Sequence, residues 1–129
     1  MSASNYAENV LLDHLISIST HIALCTADPT DAGTGADMSE VADAGAYARL
    51  AIAGLFGTAA AAGAIANDAA AVFTTATAAW GTVTHFALLD GGTHGADNML
   101  ISGALTTSRA VINGDAVRFA IGELELTCA

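Results

Sequence analysis

Lysine is missing from this chain, and only three arginines, Arg49, Arg109 and Arg118, stand against thirteen acidic residues, for a formal charge of −10. Without lysine there is no P-loop, Schiff-base or pyridoxal chemistry. Without a basic patch nothing neutralises a phosphate backbone, which speaks against nucleic acid as a partner. Aromatic residues reach only 5% although 53% of the chain is hydrophobic. Alanine makes up the difference, so the core must be built from small side chains. No run of large apolar residues is long enough for a membrane span, and no positive side chain precedes Arg49 to form the basic end of a secretory signal. A soluble chain with no membrane partner is the expectation. Two cysteines, Cys25 and Cys128, can form one bridge at most, which is not a disulfide framework. A bridge within the chain, a bridge between subunits through Cys128, and two free thiols all stay open.

What is present fits one domain over residues 1–129. Asn5 and Glu8 have the spacing of a capping box. Tyr6, Val10, Leu11, Leu15 and Ile18 then recur at helical steps and predict an amphipathic helix over residues 5–17. Its stripe either packs on the parent domain or docks on a neighbouring subunit. Residues 21–27 read as a strand that ends at the turn-forming Asp28-Pro29 pair. Residues 28–45 are rich in Asp, Gly, Thr, Ser and Ala. A loop of that length in a small domain is usually functional or mobile, and it is the expected contact arm, with Asp31, Asp37 and Met38 at its interface.

Residues 46–128 read as a β-rich body. Residues 46–56 read as a strand interrupted by Gly54. The alanine runs 59–62 and 69–71 favour helix on propensity, but Gly57, Gly63 and Asn67-Asp68 punctuate them too often for a helix to nucleate. Thr74, Thr75 and Thr77 lean towards extended chain. Residues 82–89 and 99–105 are strands, residues 110–112 and 115–120 form a hairpin across Asn113-Gly114, and residues 123–126 alternate with period two. The expected fold is mainly β: a small antiparallel β-sandwich or barrel-like domain with one N-terminal amphipathic helix and a long acidic loop.

Chemistry-bearing constellations are sparse. His21 and Cys25 would share a strand face about 13 Å apart, too far for one zinc ion. The acidic loop lacks the alternating oxygen ligands and hinge glycine of a calcium loop. No nucleophile elbow or His-Glu-x-x-His helix occurs. Trp80 reads as a strand anchor whose indole N–H needs a partner, with ligand stacking as the alternative. Neither a catalytic residue nor a cofactor is expected.

Tyr6-Ala7-Glu8-Asn9, Ile22-Ala23-Leu24-Cys25-Thr26-Ala27-Asp28-Pro29, Ala46-Tyr47-Ala48-Arg49, Ala79-Trp80-Gly81-Thr82-Val83-Thr84-His85-Phe86 and Gly103-Ala104-Leu105-Thr106-Thr107-Ser108 with Asn113-Gly114-Asp115 occur in this order along the chain. In these stretches it resembles a family of small tailed-bacteriophage virion proteins, described as capsid decoration (cement) proteins or as minor tail and tail fibre proteins. The resemblance implies a virion location and no enzymatic activity. The leading expectation is a capsid decoration protein on the outer capsid surface, bound to the major capsid protein and to itself as a trimer. A tail, neck, baseplate or tail-fibre component is the alternative, and a calcium- or sugar-binding lectin-like module the third choice.

Overall fold

The computed structural model describes residues 3–57 and 60–128. Residues 1, 2, 58, 59 and 129 lie outside the described residues, including one alanine of the run 59–62. Among the described residues helix α1 spans Asn5–Ile18, and eight strands follow: β1 His21–Cys25, β2 Leu50–Ala51, β3 Ala64–Ala66, β4 Ala71–Thr75, β5 Gly81–Leu89, β6 Met99–Val111, β7 Ala116–Phe119 and β8 Glu125–Thr127. All pairings are antiparallel, in a four-stranded sheet of order β2-β1-β5-β6 and two two-stranded sheets, β3-β8 and β4-β7. The mainly β class with one N-terminal helix is therefore the observed one.

The three sheets and the helix share one core, to which Leu12, Ile22, Leu24, Ile65, Phe73, Phe86, Phe119 and Leu126 contribute. Strand β1 is buried on both faces. Ile22 and Leu24 enter this core, while Ala23 and Cys25 join a second cluster with Met38, Ala87 and Leu89. Burial of both faces is why residues 22–25 read as an unbroken apolar run rather than an alternation.

The second cluster needs a cover, and residues 28–45 supply it. They fold back on the sheet as a strap: Val41 N–H donates to the Leu24 carbonyl at 3.0 Å, Thr26 N–H to Ser39 at 3.0 Å, and Gly35 N–H to Asp97 at 3.0 Å. Isolated bridges join Cys25 to Glu40 and Thr34 to Asn98. Met38 is fully buried beneath this strap. The expectation of Met38 at an outer interface is corrected on that ground, since a side chain that fills the second core cannot also reach a neighbour.

Other departures have local causes. The helix is capped by Ser4, whose side chain accepts from Ala7 N–H at 3.2 Å, one residue before the expected Asn5. The strand expected over 46–56 shrinks to β2, because Gly45 and Ala46 both take positive φ and residues 52–55 close a turn through Leu55 N–H and the Ile52 carbonyl at 3.0 Å. Asn113-Gly114 does make a tight turn, with Asp115 N–H donating to Ile112 at 3.1 Å and Gly114 at φ +92°. It is not a hairpin, however: β6 pairs with β5 and β7 with β4, so the turn is a corner between two sheets.

Candidate interaction surface

Helix α1 attaches to the body by a mixed face. Leu12 is fully buried and Ile16 packs against the core. Beside them the Asn9 side-chain oxygen accepts from Gly63 N–H at 2.9 Å, and the Asp13 carboxylate accepts from Ala60 N–H at 2.8 Å. Positions 9, 12, 13 and 16 follow the helical repeat, so two hydrogen-bonding side chains and two aliphatic ones share the inner row. The polar pair satisfies backbone donors that no strand partner reaches.

The side chains that the apolar stripe singles out lie on the rest of the helix surface, from the Asp13 edge round to Leu11. Tyr6 is 79% exposed, Val10 49%, Leu11 46% and Ile18 42%, whereas Leu15 is half-buried at the boundary. Large exposed apolar side chains gathered on one face are a mark of an interaction site. Spacing found this stripe but not its direction, because hydrophobicity does not reveal that Asn9 and Asp13 are the side chains that hold the helix down.

The strap of residues 28–45 is locked by Arg49. Its guanidinium donates to both Glu40 oxygens at 2.8 Å, to Asp97 Oδ2 at 3.1 Å, and to the carbonyls of Gly91 at 3.0 Å and Ala96 at 3.1 Å. Tyr47 donates its hydroxyl to Glu40 at 2.8 Å and accepts from Leu24 N–H at 3.1 Å, and the His94 ring meets the Val41 carbonyl at 2.7 Å. Burial alone would raise the Glu40 carboxyl; hydrogen bonds from Arg49, Tyr47 and Gly95 N–H, together with the charge of Arg49, outweigh it and hold Glu40 below the ordinary carboxylate value. Burial, reinforced by the charge of Glu40, pushes the Tyr47 phenol well up. This cluster joins two loops to the sheet and leaves no side chain over for a ligand. Asp31 and Asp37 remain exposed on the outer side of the strap.

Trp80 is buried, donates Nε1–H to the Gly45 carbonyl at 2.8 Å and lies edge-on to Tyr47 with ring centroids 5.3 Å apart. It anchors the start of β5, and a ligand has no access to its face. Cys25 and Cys128 are both free thiols, one in the second cluster and the other against the main core. Among the described residues no three His, Cys, Asp or Glu side chains come together to hold a metal ion, and no helix is long and apolar enough to cross a membrane.

A cleft of about 510 Å³ lies beside β6, lined by Leu105, Thr107, Arg109, Phe119, Ile121 and Glu123 among others. Arg109 stacks over the Phe119 ring at 4.3 Å and pairs with Glu123 at 2.5 Å. The cation and the aromatic face of the cleft are thus already taken up by the protein itself.

The family model described as "Podophage GP4 fiber I protein gp80" matches residues 2–127. No curated protein matches the chain.

Proposed function

The chain belongs to the podophage GP4 fiber I protein gp80 family, and from that premise we propose that it is a non-enzymatic component of a phage tail fibre, residues 1–129 acting as one domain. Membership makes it a bacteriophage virion structural protein. The observation that carries the finer reading is the family description itself, which names a fibre and so favours the tail-fibre alternative over capsid decoration. The outward face of α1 supports an assembling role, since Tyr6, Val10, Leu11 and Ile18 are there for another surface to cover. Its partners on this reading are other virion proteins and further copies of itself. The exposed Asp31 and Asp37 of the strap are secondary contact residues. Binding to the major capsid protein is not part of this reading, and the lectin-like reading loses Trp80, which is buried.

Quantitative mass spectrometry of purified virions, with heads and tails separated, tests the proposal. The chain is expected in the tail fraction at a handful of copies per particle. Recovery with the heads, at a copy number comparable to that of the major capsid protein, would overturn the fibre reading and restore decoration.

A further inference from the structure

We propose that the outward face of α1 packs against the same face of other copies of this chain, joining them through a bundle of α1 helices. The inference rests on the fibre reading above and names the partner of that same surface.

The spacing on the exposed face points to a helix as the occupant. Ala7, Leu11, His14 and Ile18 recur at steps of four, three and four, with Val10 and Ser17 alongside. A repeat that alternates threes and fours is the seam of helix-on-helix packing, in which aliphatic knobs enter holes on a facing helix. Leu11 and Ile18 take one kind of seam position, Ala7 and His14 the other. The small Ala7 allows close approach near the helix start, and a polar residue such as His14 within a seam favours one register over others. Among the described residues α1 is the one helix, so these residues offer it no facing helix and another chain can.

Charge argues that this chain is another copy. At −10, copies repel one another wherever their acids meet. Neither acid of α1 occupies a seam position: Asp13 is bonded to Ala60 N–H, and Glu8, which flanks the seam, lies beside Gly63. The seam residues Ala7, Leu11, His14 and Ile18, with Val10 and Ser17 beside them, carry no carboxylate, and the exposed Asp13 lies on the Tyr6 side of the helix, outside the seam. Like surfaces can meet there without bringing acids together, whereas a basic partner would be drawn to the acidic surface elsewhere.

Size sets the number of copies. A helix of 14 residues is roughly 21 Å long, and one such helix against another falls well short of the ~800 Å² per partner of a standard stable interface. In a cyclic bundle of three or more copies each helix packs on two neighbours. The free chain should therefore associate in a concentration-dependent way into rings rather than pairs.

Sedimentation equilibrium of the full chain, from micromolar to millimolar, compares wild type with the double variant Leu11→Glu/Ile18→Glu. Both side chains are exposed, and circular dichroism checks that the fold is kept. The wild-type mass is expected to rise at least threefold above that of one chain, and the variant mass to stay at one chain. In a Cys128→Ser background, Ala7→Cys should cross-link copies on mild oxidation, and Asn113→Cys, at the exposed corner between sheets, should not. The cross-linking comparison stands even if the double variant fails to fold. A wild type that stays at one chain mass throughout, a folded variant that associates as well as wild type, or equal cross-linking at both cysteines would overturn the proposal. None of these results bears on the tail or head location, which the virion fractions decide separately.

Discussion

Arg49 and Glu40 meet fork to fork: Nε donates to one carboxylate oxygen and Nη2 to the other, each at 2.8 Å, with the two side chains only 1% and 2% exposed. Because the pair is buried, removing one partner strands the other charge. Arg49→Ala should cost about 3–5 kcal/mol in urea unfolding, whereas Arg49→Met with Glu40→Gln should recover most of that loss. A single variant as stable as wild type would show that water reaches the pair.

The same carboxylate predicts an acid response. Glu40 is held below its ordinary value of 4.5 in the folded chain. Its contribution is therefore fully present above that value and is lost as the pH falls through the lower, folded one. Unfolding free energy should decline below about pH 4.5, and the Glu40→Gln variant should show a shallower slope over the same window.

At the alkaline end the sign reverses. Burial, with the charge of Glu40, pushes the Cys25 thiol from 9.0 up to about 12, and Tyr47 moves in the same direction. The unfolded chain gives up protons that the folded chain keeps, so stability should fall as the pH rises above about 9. In a thiol-reagent assay near neutral pH, the partly exposed Cys128 should react in the native state and Cys25 only after unfolding.

The two faces of α1 should respond oppositely to truncation. Leu12→Ala empties a fully buried site and should cost about 2–5 kcal/mol. Val10→Ala removes a half-exposed side chain and should change the stability of a single chain by no more than about 0.5 kcal/mol. Thermal melting at concentrations too low for association distinguishes them.

With thirteen acids against three arginines, salt should stabilise. Raising monovalent salt from 10 mM to 1 M shortens the screening length from about 30 Å to about 3 Å, and Tm should rise accordingly. A fall in Tm would mean that specific ion pairs outweigh the general repulsion.

Much of the fold was legible where one residue's environment depends on its near neighbours. The β-branched run behind Trp80 is β5, and the alternation of Glu123-Leu124-Glu125-Leu126 buries both leucines. Legibility failed where a distant partner decides. Asn113-Gly114 predicts its turn correctly, but whether the flanking strands pair with each other depends on β4 and β5, which have already taken them. Residues 28–45 look like a free acidic arm because nothing local shows that Arg49 lies opposite Glu40 or that Met38 has a cavity to fill. Asn67 reads as loop punctuation, yet it is buried and its side-chain oxygen accepts from the Gly122 and Leu124 amides at 3.1 and 2.9 Å. Its only signal is its place in an Asn-Asp pair. In α1 the stripe was visible, but its orientation hinged on amides some fifty residues further along the chain.

Strand β1 carries a cost in time. While β2 and the strap at Glu40 and Val41 take one edge of it, the other is paired wholly with β5, from His21 against Leu89 to Cys25 against His85. On a ribosome adding ~5–20 residues per second, the apolar run Ile22-Ala23-Leu24-Cys25 waits roughly 3–13 s for that partner to be synthesised. Pairings this distant also fold slowly once the whole chain is free, in milliseconds to seconds rather than microseconds. During that interval the edge of these four residues that faces β5 is open and uncharged, the kind of edge that nascent-chain chaperones shelter and that crowded polysomes would otherwise bring together.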